Sequence, residues 1–154
     1  MRVKTFHELT EAEPIIKACE VCHVGMVDKD NHPYTLPMNF GIETDTIYLH
    51  SGPEGKKIDI LKAHPEVCLS FSTDYKLYHQ SENVGCSYGM RYRSVLIFGK
   101  VEFVEDEAGK QRILNIIMSH YTGRSDFKYN APAIRNVRIM RIKIERLEGR
   151  TFGY

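Results

Sequence analysis

Hydrophobic positions along this chain recur mostly with a period of two, and only three stretches carry the three-to-four spacing of a helix. Alternation over residues 23–28 predicts a first strand, and the turn formers Asp28, Asp30, Asn31 and Pro33 hinge it into a second over 34–42. A third follows at 46–50 after the turn-prone Glu43-Thr44-Asp45, and residues 66–72 give a half-alternating fourth. The longest β run is 92–104, where Gly99 marks a bulge or bend that would let one strand serve two sides of a barrel. Residues 137–147 alternate apolar and charged side chains without a break, the signature of a strand with one dry face. Helices are expected in three places. Thr10 and Glu13 form a capping box ahead of Pro14-Ile15-Ile16, with an end near Glu20. Lys56 opens a second helix that stops before Pro65. Asp106-Glu107 open a third, whose buried face is Ile113, Ile116, Ile117, His120 and Tyr121 and which Gly123 terminates. Residues 74–90 carry no clean period and read as a loop, as does the stretch around Pro132.

Six to seven antiparallel strands with three short helices predict a mainly β fold, a small split barrel of the Greek-key type, in preference to a sandwich or a parallel sheet. Strict alternation in the last run supports closure, because a barrel strand has one inside face and one outside face. At 154 residues and 42% hydrophobic content, one domain over 1–154 is enough to bury a core. Charge narrows the partners: 21 basic against 20 acidic residues give no general pull towards nucleic acid or membrane, so recognition must be local. No run approaches the ~18 apolar residues of a membrane span, and the N-terminal stretch is polar and acidic, which points to the cytoplasm. G-x-G-x-x-G and the P-loop pattern do not occur, so dinucleotide-fold and P-loop readings fail.

Cys19, Cys22, Cys68 and Cys86 are expected as reduced thiols, since nothing points to export. Cys19-Glu20-Val21-Cys22-His23 matches the C-x-x-C-H string of covalent haem attachment, but it runs directly into a strand. A zinc site would need two further ligands at closed-site spacing, and Cys68 and Cys86 have no C-x-x-C partners. No metal is expected, and Cys19, Cys22 and Cys68 read as small buried hydrophobes.

The chemistry concentrates between Ser51 and Leu61. Gly52-Pro53-Glu54-Gly55 supplies two flexible positions and one fixed φ, and then delivers Lys56 and Lys57 into the first turn of a helix. Free N–H groups and the positive end of the helix dipole favour an anion there. Two ammonium groups at that end are of the wrong sign, costing roughly 0.3–1 kcal/mol each unless an anion lies between them. A bound phosphate would resolve the conflict. The competing account is a pair of solvated lysines.

In this order, the segments HVGMV, HPYTLPMNFGI, TIYLHSGPEGKKIDILKAHPEVCLSF and YRSVLIFGKVEFVED resemble the FMN-binding split β-barrel family of pyridoxamine 5′-phosphate oxidase relatives, on the branch similar to nitroimidazole-resistance proteins. The most specific pieces are H-S-x-x-x-G-K-K, with Pro65 eight residues after Lys57, and the R-S-V-x-x-x-G strand from Arg93 to Gly99. The resemblance implies a homodimer holding FMN at the subunit interface. It places Lys56 and Lys57 on the FMN phosphate, with Ser51 and Gly55 beside it. Relatives often carry Ser where Gly55 stands, so a hydroxyl contact is missing here. Pro37, Met38 and Asn39 would run along the isoalloxazine edge, His50 would face the flavin as the candidate proton donor, and Ser94 would reach the cofactor from the other subunit. Expected partners are a small electrophilic substrate, nitroaromatics among them, and NADH or NADPH as donor. The oxidase's substrate-recognising C-terminal extension has no counterpart in this sequence, so pyridoxamine phosphate oxidation is not expected. The alternative is a flavin- or haem-binding module without turnover, in which His79 of the 74–90 segment would serve haem.

Overall fold

A computed structural model describes residues 2–154, and among these the chain forms nine strands and four helices. The first hairpin joins β2 (Cys22–Val27) to β3 (Pro33–Met38), and Asp28 shapes its turn by accepting the backbone N–H groups of Asp30 and His32 on Oδ1, each at 2.9 Å. A strand was expected to continue to residue 42; instead it breaks at Asn39 and resumes as β4 (Phe40–Glu43), which pairs with β5 (Thr46–Ser51). With β6 (Glu66–Tyr78), β7 (Gly89–Val104) and β8 (Arg138–Lys143), the hydrogen-bonded path runs β3–β2–β6–β7–β8–β5–β4, so its two ends are consecutive pieces of chain separated by one residue. The ladder therefore stays open at Asn39, and the closure expected from alternation does not occur. The mainly β, split-barrel fold does.

Two predicted elements differ in extent for one physical reason each. Strand β6 (Glu66–Tyr78) and strand β7 (Gly89–Val104) continue through most of the stretch expected as a loop. Their outer arms pair from Lys76–Arg91 to Tyr78–Gly89 after a register shift between Thr73 and Lys76, and there Tyr75, Leu77 and Met90 stay exposed. With no dry face there is no alternation to detect. The run 137–147 is two strands: β8 (Arg138–Lys143) turns at Ile144-Glu145 into β9 (Arg146–Phe152), and the alternation carries straight across the turn. Ile144 N–H is taken by the Asp45 carbonyl at 2.9 Å and Glu145 N–H by the Phe98 carbonyl at 3.0 Å, which fixes the corner. Strand β1 (Val3–Phe6), unexpected in a polar terminus, caps the sheet by pairing with β9.

Strand β7 does serve two sides. It pairs with β9 from Tyr92 to Phe98 and with β8 from Val101 to Val104, and the exchange falls at Gly99. No register shift occurs there; what glycine provides is room, since a Cβ would lie 2.5 Å from the Lys143 carbonyl oxygen.

Helix α1 (Leu9–Lys17) begins two residues earlier than a cap at Thr10 would start it. Glu8 is its N-cap residue, with its carbonyl taking the N–H groups of Glu11 and Ala12, so Thr10 lies inside the first turn and the capping box does not form. Helix α2 (Lys56–Ala63) ends before Pro65 as expected. Helix α3 (Glu107–Thr122) starts from an Asp106 side-chain cap on Gly109 N–H and ends at Gly123 with φ 72°. Ile113 and Ile117 are buried beneath it against Tyr48, Val104 and Ile139. A short helix, α4 (Ala131–Arg135), forms where a loop was expected, capped by Asn130. Cys19 and Cys22 are core residues, while Cys68 is only half-buried.

Gly99→Ala is expected to destabilise the chain by roughly 1–3 kcal/mol, the range for forcing atoms into a packed site. Urea unfolding checks it, and an unchanged midpoint would show that the β7–β8 corner can open without cost.

Candidate functional site

Strand β5 ends at Ser51, whose hydroxyl donates to the Gly52 carbonyl at 2.8 Å and so tightens the bend that follows. Gly55, the residue before α2, has φ 134°, a conformation that a side chain would strain. Its carbonyl accepts from Ile58 N–H at 3.0 Å and Asp59 N–H at 3.1 Å, opening the helix. The N–H groups of Lys56 and Lys57 come before those bonds and have no acceptor within the helix. Ile58, Ile60 and Leu61 are buried in the main core, so this turn is held from below.

Beside it lies a groove of about 390 Å³ that gathers Pro37, Met38 and Asn39 from the β3 side and His50, Ser51 and Lys57 from the other. A volume of this size suits a small organic ligand. Gly55 and Lys56 precede Lys57 at the helix start and are not among the lining residues. Ser94 does not line it: it stands on β7 between Ser72 and Arg150. Of the nine residues singled out by sequence, six line the groove, Gly55 and Lys56 adjoin Lys57 along the chain, and Ser94 stands apart.

The two lysines are not equivalent. Lys56 is exposed, with its ammonium 4.7 Å from the centre of the Tyr34 ring, a contact that offsets part of its unfavourable position. Lys57 lines the groove and, among the described residues, makes no ion pair. His50 is partly buried, and desolvation lowers its pKa below the ordinary histidine value. At neutral pH its imidazole is therefore uncharged, suited to giving or taking a hydrogen bond. An anion alongside would be needed to make it a ready proton donor.

The residues that sequence reasoning missed are at the end of α3. Tyr121 was expected only as part of a buried face. Its ring is exposed, and its hydroxyl accepts from Asn39 Nδ2 and from Phe40 N–H, both at 3.1 Å, and donates to the Glu20 carbonyl at 2.6 Å. Next to it, His120 Nε2 is 2.8 Å from the Cys19 carbonyl oxygen, so that nitrogen carries the hydrogen. These two side chains tie 19–20 and 39–40 together across the open end of the sheet. No periodicity reports such a tie between residues more than eighty positions apart.

Other candidates have structural work. The thiols of the C-x-x-C-H string are in the core; Cys22 donates to the Met38 carbonyl, and burial pushes its pKa up to about 12. His79 is exposed and stacks on Tyr88, ring centres 4.7 Å apart. No helix among the described residues is long and apolar enough to cross a membrane.

The family model described as pyridoxamine 5′-phosphate oxidase matches residues 8–151. Among solved structures, a protein of Bacteroides thetaiotaomicron assigned by name to 5-nitroimidazole antibiotic resistance is 44% identical, with 99% of this chain and 90% of that one covered and a TM-score of 0.85. The flavocytochrome Anf3 of Azotobacter vinelandii (21% identity, 97% and 70% coverage, TM-score 0.83) and an FAD- and haem-binding protein of Mycobacterium smegmatis (16%, 98% and 74%, 0.85) share the fold. Among curated proteins none matches the chain. The match across nearly the whole length, together with a split sheet whose open end carries the groove, shows that the chain belongs to the pyridoxamine 5′-phosphate oxidase family, on the branch that resembles nitroimidazole-resistance-type proteins.

Proposed function

We propose that the groove binds FMN and that the chain is an FMN-dependent oxidoreductase of small electrophilic substrates, nitroaromatics first among them, with NADH or NADPH as donor. One observation carries the reading: Lys57, in the first turn of a helix whose leading amides have no helical acceptor, lines the same groove as the extended backbone of β3. Such a donor set fits a phosphate ester, and the apolar wall of Leu36, Pro37 and Met38 fits a flat ring system. Bound there, the flavin would supply the electron-transfer chemistry, and the protein would supply orientation and exclusion of water. Lys57 and the α2 amides would hold the phosphate, with Lys56 adding charge at the mouth. His50 would meet the ring face or its substrate. Ser51, whose proton is used within the bend, would offer only a lone pair.

Ser94 supports a shared site. It lies on the outer face of the sheet, where the rows Gly25–Cys68–Phe98 and His23–Ser70–Leu96 and the pair Ser72–Ser94 run across neighbouring strands. Small side chains there let another surface approach closely, and half-buried Leu96 and Phe98 give it apolar area to cover. A second copy on that face would bring its own Ser94 towards the groove.

Lys56→Gln/Lys57→Gln is expected to weaken FMN binding by about ten- to a hundredfold, in line with one or two lost charge-assisted contacts. Riboflavin, which lacks the phosphate, should bind equally to wild type and variant. Unchanged FMN affinity by fluorescence quenching would remove the phosphate assignment. His50→Ala should leave FMN bound but slow anaerobic flavin reoxidation by a nitroaromatic; unchanged turnover with full occupancy takes away its catalytic role. In the apo chain, the depressed His50 pKa means that the unfolded state takes up the proton first. Stability should therefore fall as pH drops below about 6.5, and His50→Gln should flatten that part of the profile. Leu96→Arg is expected to turn a dimer into a monomer by light scattering with loss of FMN; a monomeric wild type that still binds FMN would refute the shared site. Bleaching of the bound flavin by NADH or NADPH without oxygen separates an enzyme from a passive carrier.

A further inference from the structure

A hydroxyl group has one proton to give and two lone pairs to offer, and at Tyr121 all three are committed. The Glu20 carbonyl can only accept, so it takes the proton across 2.6 Å. The Phe40 N–H can only donate, so it occupies one lone pair at 3.1 Å. What faces Asn39, 3.1 Å away, is then the second lone pair, and only the NH2 half of the side-chain amide can meet it. A flipped amide would set oxygen against oxygen. The network thus fixes the orientation of the Asn39 amide, which coordinates alone would leave ambiguous. Its carbonyl oxygen is the half turned away from Tyr121, and among the described residues it has no hydrogen-bond partner.

Asn39 lines the groove together with Lys57. From Tyr34, under the Lys56 ammonium, to Asn39 the chain advances five residues, roughly 16 Å at about 3.3 Å per residue. The Lys56 ammonium and a neutral acceptor whose orientation Tyr121 fixes therefore stand a short molecule's length apart along β3.

We propose that Tyr121 is a positioning residue that locks the Asn39 amide with its oxygen towards the groove, so that the site selects ligands carrying an N–H donor at the end opposite their anionic group. The inference rests on the flavin reading, and there the donor is the imide N–H of the isoalloxazine ring. Tyr121 is itself held firmly enough for the task. His120 packs edge-on against its ring with centres 4.7 Å apart and is tied to the Cys19 carbonyl, while Ile113 and Ile117 anchor the helix that carries both.

The test compares FMN with 3-methyl-FMN, in which that N–H is replaced by N–CH3, by fluorescence titration of the apo protein. Wild type should prefer FMN on the order of tenfold, the scale of one hydrogen bond lost together with an unpaired acceptor. Tyr121→Phe, which frees the amide to turn, should erase most of that preference. Asn39→Leu, at an exposed position, should erase it too and keeps the test open if Tyr121→Phe does not fold. Equal wild-type affinity for the two flavins overturns the proposal while leaving the flavin reading intact. So does a Tyr121→Phe variant that weakens both flavins alike with the preference unchanged, because that outcome is a purely structural role. Binding of neither flavin by wild type sinks the flavin reading and the proposal together.

Discussion

One phenolic hydroxyl spans the gap in this sheet. Strands β3 and β4 are the two ends of the hydrogen-bonded path, and a chain that breaks at Asn39 cannot pair with itself across one residue. The Phe40 N–H would be left without a partner at a partly buried position, a cost of the order of 1–3 kcal/mol; Tyr121 supplies the acceptor. That helix α3 can do so depends on its packing. Ile113 and Ile117 set its height above the sheet, and the left-handed Gly123 ends it two residues after Tyr121. The split in the barrel and the groove that opens beside it are therefore one feature, stabilised from outside by a helix terminus instead of by a neighbouring strand.

The opposite end of the groove is governed by charge. A nearly neutral chain exerts no long-range pull on an anion, so affinity must come from a few groups at close range. The turn before α2 concentrates them: a bend tightened by Ser51, a glycine in a conformation that would strain a side chain, and two lysines where the helix dipole opposes them. Tyr34 relieves one lysine and leaves the other facing the groove. The conflict legible in the sequence is thus only half resolved by the protein's own side chains, and Lys57 is the half that a ligand would resolve.

What the sequence disclosed follows from what periodicity can register. Strands with one dry face, such as β2 and the inner part of β7, were legible because burial selects every second residue. The outer arms of β6 and β7 were not, since both faces are wet there, and β1 was hidden by charged neighbours for the same reason. Alternation marks faces and is blind to direction, so 137–147 concealed the β8–β9 corner. Within the site, the residues next to one another in the chain were found by motif and do converge. Tyr121 was missed because its role consists of hydrogen bonds to residues 82 and 101 positions away, which no local pattern encodes.

The outlier, Ser94, carries its own argument. On β7 the inward residues Val95 and Ile97 are fully buried, whereas Ser94, Leu96 and Phe98 between them are only partly covered although their strand is central to the sheet. A central strand with a half-dry outer face is an unfinished layer. Polar side chains would normally complete such a face; here serines, a glycine and a cysteine alternate with large apolar groups, and Arg146 stacks on Phe98 at 3.9 Å as a partial cover. The composition is that of a surface shaped to be approached closely. This face is continuous with Pro37, which stands opposite His23 and lines the groove. A second surface laid on this face would border the groove as well, so that ligand binding and coverage of the face would strengthen one another.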